Sequence, residues 1–221
     1  MATSVITGSK SGIGLEFCRQ LQQRGDTVIA TCRNASADLE ALGVRVETDV
    51  DITNDGSVAR FIDRLHGLPI DVLINNAGMM QRVTLDDLNF DSIRQQFEVN
   101  TLGALRLTHG LLPQLSRGSK IALITSRMGS IADNTSGGSY GYRLSKVALS
   151  MAGKSLAYDL HPQGIAVAIL HPGLVRTPMT HFIPQGISPE QSVQGLLSRI
   201  DALTLDTSGT FWHANGEVLP W

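Results

Sequence analysis

Two rhythms of apolar and polar positions alternate along this chain. Short β-prone runs occur at Ser4–Thr7, Thr27–Thr31, Val44–Thr48, Val72–Ile74, Lys120–Thr125 and Ile165–Leu170, and a last one at Thr210–Trp212. Between them lie stretches with apolar residues three and four apart, which predict helices over 13–24, 35–42, 57–65, 90–112, 142–160 and 190–200. In the long stretch from Phe90 to Leu112, the residues available for burial are Ile93, Phe97, Leu102, Leu105 and Leu107. Asn100 and Thr101 interrupt it, and an asparagine inside a helix competes for backbone hydrogen bonds. The alternation of strand and helix predicts an α/β domain: a doubly wound, mostly parallel sheet with helices on both faces. Residues 178–190 have little periodicity and read as a short loop or lid. Gly216–Trp221 ends on apolar residues that should dock on the body.

Composition narrows the class. At 221 residues, 42% hydrophobic and 17% charged, the chain is one globular domain spanning 1–221. A net charge of −2 gives no basic surface for nucleic acid. No apolar run reaches the ~20 residues that span a bilayer, and the chain enters a strand at once without a leader-like segment. A cytoplasmic protein with no membrane partner is the expectation. Cys18 and Cys32 read as reduced thiols, and neither they nor the six histidines have metal-ligand spacing.

Chemistry first appears in the turn after the first strand. Gly8, Gly12 and Gly14 punctuate a β-α-β unit, with Lys10 and Ile13 among them. Glycines there let a backbone approach a pyrophosphate, and the following helix start favours the anion. The second strand ends Thr31-Cys32-Arg33-Asn34 with no carboxylate, and an arginine at that place suits a 2′-phosphate, hence NADP(H). Asn75-Asn76-Ala77-Gly78 ends the fourth strand with small and amide residues, suited to close passage of a cofactor.

The second concentration of chemistry runs from Ser126 to Lys146. Ser126 ends an apolar strand, a Gly/Ser-rich loop comes next, and Tyr142 then has Lys146 four residues on. Neither Tyr140 nor Tyr158 has a cation at that offset. On a helix the pair shares one face, and an ammonium beside a phenol should lower its pKa, giving a general acid/base near neutral pH.

Together these motifs resemble the short-chain dehydrogenase/reductase family along nearly the whole chain, and in the family's order. Thr7–Gly14 looks like its cofactor loop, Asp49-Val50 its adenine contact and Asn76-Ala77-Gly78 its motif after the fourth strand. Asn100, Ser126, Tyr142 and Lys146 match its catalytic four, and Pro172-Gly173 with Val175 and Thr177 its nicotinamide-carboxamide segment. Within the family the likeness is to C-factor and Sniffer-type carbonyl reductases, carried by S-R-M-G-S-I-A-D-N-T-S-G-G, Y-x-Y-R-x-S-K and the Leu219-Pro220-Trp221 tail. Ser126 lies 16 residues before Tyr142, more than in most members, which leaves Ser130 as a second choice.

The resemblance implies a single-domain Rossmann fold and NADPH-dependent reduction of a ketone or aldehyde. Tyr142 would give the proton and Ser126 would place the carbonyl oxygen. Lys146 would bind the nicotinamide ribose, and Asn100 would hold a water linking Lys146 to solvent. It also implies a possible homodimer or homotetramer through the long helices. Met128, Met179, Phe182, Ile183 and Ile187 should border an apolar substrate pocket. An NAD-dependent alcohol dehydrogenase and a nucleotide-binding signalling protein are the alternatives.

Overall fold

The computed structural model describes residues 1–221. In chain order the strands are β1 (Thr3–Thr7), β2 (Thr27–Thr31), β3 (Arg45–Glu47), β4 (Ile70–Asn75), β5 (Leu115–Ile124), β6 (Ala166–His171) and β7 (Phe211–His213). They form one sheet in the order β3-β2-β1-β4-β5-β6-β7, and every adjacent pair is parallel. The chain winds outward from β1 to β3, then crosses back to lay β4 on the other side of β1. That reversal opens a crevice at the carboxyl ends of β1 and β4, where open α/β sheets bind ligands.

The helices are α1 (Gly12–Gln23), α2 (Ala37–Glu40), α3 (Asp55–Arg64), α4 (Phe90–Phe97), α5 (Gly103–Leu111), α6 (Tyr140–Leu160) and α7 (Pro189–Asp201). Period-two alternation in the strands separates two cores of nearly equal size, of 22 and 20 buried residues. Ile6, Ala30, Ile74 and Ile124 meet α1 and α7 on one face. Val5, Ile29, Leu73 and Leu123 meet α3, α5 and α6 on the other. Equal cover on both faces is what a parallel sheet requires.

The helix expected over 90–112 is two helices joined by a π-helical turn, Glu98–Leu102, that holds Asn100. The wider turn rotates α5 relative to α4, so only part of the expected buried face holds beyond it. Leu107 is buried as expected, but Leu102 and Leu105 are exposed, and α5 buries Ala104 and Leu111 in their place. Ile93 and Phe97 are only half-buried. Such a turn inside a helix often marks a functional position.

The segment expected to form a lid is fastened to residues 174–176. Ile187 N–H donates to the Leu174 carbonyl (2.8 Å) and Arg176 N–H to the Ile187 carbonyl (3.0 Å). The tail also docks as expected. Leu219 is buried, Trp221 stacks on Phe211 with ring centroids 5.4 Å apart, and Ala132 N–H donates to the Trp221 carbonyl.

Candidate active site

A cavity of about 660 Å³ occupies the crevice. Gly8, Lys10, Gly12, Ile13 and Gly14 form one end, Arg33 and Val50 a side, and Asn76, Ala77 and Gly78 the floor. Tyr142, Lys146, Pro172 and Thr177 close the other end. The structure thus gathers most of the residues singled out from sequence. Asp49, Asn100, Ser126, Gly173 and Val175 lie off its wall.

The glycine turn is built by contact as much as by conformation. A Cβ on Gly14 would collide with the Gly8 carbonyl and the Asn76 amide, and one on Gly8 would lie 2.8 Å from Ala77 Cα. β1 and β4 are stitched beneath it. Thr7 Oγ1 accepts from the Asn76 and Ala77 N–H groups, both at 2.9 Å, and Asn76 Nδ2 donates to the Thr7 carbonyl. At the start of α1, Ser11 makes no side-chain cap and the first turn has no acid. Asn54, Asn89 and Ser188 do cap α3, α4 and α7. The uncapped donors of α1 therefore face the cavity, where a phosphate would satisfy them.

Arg33 and Lys10 are exposed, line the cavity and take part in none of the ion pairs. Ser36 Oγ donates to the Lys10 carbonyl (2.8 Å), tying the glycine turn to the segment after β2. Asp49 has a left-handed backbone (φ 58) and is exposed. Asp51 lines the cavity, although its Oδ1 accepts from both Thr53 N–H and Thr53 Oγ1. Sequence reading missed Asp51; the Asp-x-Thr turn that holds it was the available signal.

At the other end, Ser126, Tyr142 and Lys146 are all buried. The Ser126 hydroxyl lies close enough to the Tyr142 phenol to favour its ionised form, and it accepts from Met128 N–H (3.2 Å). Ser130 Oγ accepts instead from Asp133 N–H (3.1 Å) inside the loop. Gly129 lets that loop press on α6, since a Cβ there would lie 2.7 Å from the Lys146 carbonyl carbon.

The expected acidification of Tyr142 by Lys146 is absent. Burial pushes the phenol above its ordinary 10.0, and only the nearby Ser126 hydroxyl opposes it. Burial likewise pushes Lys146 down to about 8. The ammonium lies 5.7 Å from the Tyr142 ring centroid and donates to the Ile124 carbonyl (2.8 Å). Desolvation dominates both groups, and neither shift has a contribution from the other.

Asn100 is wholly buried. Its Oδ1 accepts from Met79 N–H (2.7 Å), and its Nδ2 donates to the Met79 carbonyl and to Ser145 Oγ, both at 2.9 Å. Ser145 Oγ in turn donates to the Tyr142 carbonyl (2.8 Å). Gly78 lets Asn100 and Lys146 close in, as a Cβ there would lie 3.2 Å from Asn100 Oδ1 and 3.5 Å from Lys146 Nζ. Of the apolar residues expected at the pocket, Met179 lines the cavity and Met79 joins it, while Met128, Phe182, Ile183 and Ile187 do not.

A doubly wound parallel sheet, a glycine-rich crevice and a buried Ser-Tyr-Lys set define a nucleotide-dependent oxidoreductase class. The chain belongs to the short-chain dehydrogenase/reductase family: the short chain dehydrogenase family model matches residues 2–187. It is 43% identical over 226 residues to 1-hydroxy-2-glutathionyl-2-methyl-3-butene dehydrogenase of Rhodococcus sp., covering 100% of both chains. It is 45% identical over 157 residues to the C-signal protein of Myxococcus xanthus, covering 69% of this chain and 93% of that one. Among solved structures it is similar to carbonyl reductase Sniffer of D. melanogaster, with a TM-score of 0.93, 28% identity and 100% of both chains covered. The NADPH-bound carbonyl reductase from chicken fatty liver gives a TM-score of 0.90 at 28% identity, covering 100% of this chain and 99% of that one. No helix is long and apolar enough to cross a membrane.

Proposed function

We propose that this protein is an NADPH-dependent carbonyl reductase. The observation that carries the reading is that Tyr142 and Lys146 are buried together on the wall of a cavity that is also lined by two unpaired cations, Lys10 and Arg33. The uncapped α1 start, Lys10 and Arg33 would hold the phosphates, and Lys146 the nicotinamide ribose. Thr177 and the main chain of Pro172, Gly173 and Val175 would hold the carboxamide. When bound, the reduced nicotinamide supplies a hydride to the carbonyl carbon.

The chain's own residues supply the rest. Negative charge grows on the carbonyl oxygen, and Ser126 and Tyr142 are its donors. Such a donor in a dry site can be worth ~3–4 kcal/mol. Tyr142 is held protonated at neutral pH by burial, which is the state a proton donor needs. Lys146 would refill it through the ribose hydroxyls. A water relay at Asn100 would use the main-chain carbonyl, because the side chain is committed to Met79 and Ser145.

Met79 and Met179 at the cavity mouth favour an apolar carbonyl compound and adapt to several shapes. A second reading, oxidation of an alcohol beside a bulky glutathionyl group, is favoured by the full-length Rhodococcus relative. Aldehydes, ketones and quinones tested for NADPH consumption, against a glutathionyl alcohol tested with NADP and NAD, separate the two. Turnover of the alcohol alone would overturn the first.

A further inference from the structure

We propose that Gln96 is a positioning residue for carbonyl reduction, acting through the loop at residues 79–83 and the first turn of α6. The proposal rests on the carbonyl-reductase reading. Gln96 is 0% exposed, and its amide is paired on both sides. Oε1 accepts from Gln81 N–H (3.0 Å), and Nε2 donates to the Gln81 carbonyl (3.2 Å) and to Ser92 Oγ (3.2 Å). One turn further on, Asn100 grips both main-chain groups of Met79 in the same way.

Side chains four apart stack on a helix, and alternate residues of an extended segment face the same way. Gln96 and Asn100 therefore act as a two-rung ladder, imitating the edge of a strand. The loop they hold carries Met79 into the cavity.

The same amide also meets the catalytic helix. A Cβ at Gly141 would lie 2.5 Å from Gln96 Nε2, so the residue before Tyr142 is a glycine because Gln96 fills that space. Tyr140 N–H donates to the Val83 carbonyl (3.1 Å), joining the loop to the start of α6 a second time. Gln96 thus holds Gln81, two residues from the cavity-lining Met79, on one side and meets the turn before Tyr142 on the other, without reaching the cavity itself. Asn76 and Ala77 are held separately, by Thr7. Losing Gln96 should loosen the substrate side and leave the cofactor side in place.

The test uses Gln96→Leu and Gln96→Glu with NADPH and para-nitrobenzaldehyde. A misplacement of ~1 Å can cost on the order of 10²-fold in rate, so Gln96→Leu should lower kcat/KM by about ten- to a hundredfold. NADPH affinity should be unchanged, and the amides of residues 79 and 81 should exchange faster with deuterium. Gln96→Glu adds a signature that a packing role would not produce. A neutral carboxyl can accept from Gln81 N–H and donate to its carbonyl; a carboxylate cannot donate. Burial raises its pKa, so the ratio of Gln96→Glu activity to wild-type activity should climb as pH falls from 8 towards 6.

Unchanged turnover, an equal loss of NADPH affinity, or a flat activity ratio with pH would overturn the proposal. Should wild type leave the aldehyde untouched, the carbonyl-reductase reading fails instead. Amide exchange then decides the Gln96 ladder by itself, and unaltered exchange at residues 79 and 81 overturns it.

Discussion

Replacing Arg33 tests how this chain would choose its cofactor. β2 delivers Arg33 to the cavity wall, with Cys32 beside it and no carboxylate at the strand end to bind a free 2′-hydroxyl; Asp51 on the same cavity is already bonded to Thr53. Because Arg33 is in no ion pair, a bound phosphate would gain its charge without breaking an existing contact. A charge-assisted hydrogen bond is worth roughly 1.5–3 kcal/mol. At ~1.4 kcal/mol per tenfold, Arg33→Ala should weaken NADPH binding by about one to two decades and leave NADH nearly unchanged. Lys10 stands on the same wall and would retain part of the attraction, which places the loss towards the lower figure. Both cations are exposed, so the preference should also shrink as salt is raised. Cys32→Asp combined with Arg33→Ala should carry the selectivity towards NADH. Fluorescence titration of each variant with both cofactors measures this directly. Equal weakening of NADPH and NADH by Arg33→Ala would make Arg33 structural, and a wild type that favours NADH would refute the reasoning altogether.

The catalytic end gives two further expected outcomes. Ser126→Ala should lower kcat by about 10²–10³, and far more than Ser130→Ala, because Ser126 lies beside the Tyr142 phenol while Ser130 is engaged by Asp133 N–H within the loop; steady-state kinetics showing the reverse order would exchange their roles. Lys146 is pushed down to about 8 from its ordinary 10.5, so a buried ammonium opposes folding at neutral pH. Between about 8 and 10.5 the unfolded chain binds more protons at this group than the folded one, and stability from this source rises with pH. Lys146→Met should therefore melt above wild type at pH 7 and lose that advantage towards pH 10, and a gap that widens with pH would contradict the burial argument.

Much of the architecture was legible because strand and helix periods are strong local signals. The glycine punctuation, the second-strand arginine and the Tyr-Lys pair are likewise short-range patterns. The features that escaped depend on distant contacts. The π-helical turn at Asn100 is stabilised by the Met79 main chain and by Ser145, which lie far from it in sequence. The shift of burial from Leu102 and Leu105 to Ala104 and Leu111 results from that turn. The rise in the Tyr142 pKa escaped for a related reason. Spacing predicts that a lysine is near, but not that its ammonium is bonded to the Ile124 carbonyl. Gln96 left no signal, since a glutamine on a helix face reads as solvated until its two partners on Gln81 are seen.

The central claim is that Tyr142 donates the proton in NADPH-driven carbonyl reduction. Its most direct test is NADPH consumption by wild type and Tyr142→Phe on the same carbonyl panel, with NADPH affinity measured for both. General acids contribute about 10²–10⁴-fold, so Tyr142→Phe should lose turnover by at least the lower figure while binding NADPH normally. Tyr140→Phe, at an exposed position, should stay active. A Tyr142→Phe enzyme that reduces carbonyl compounds at close to the wild-type rate would contradict the account.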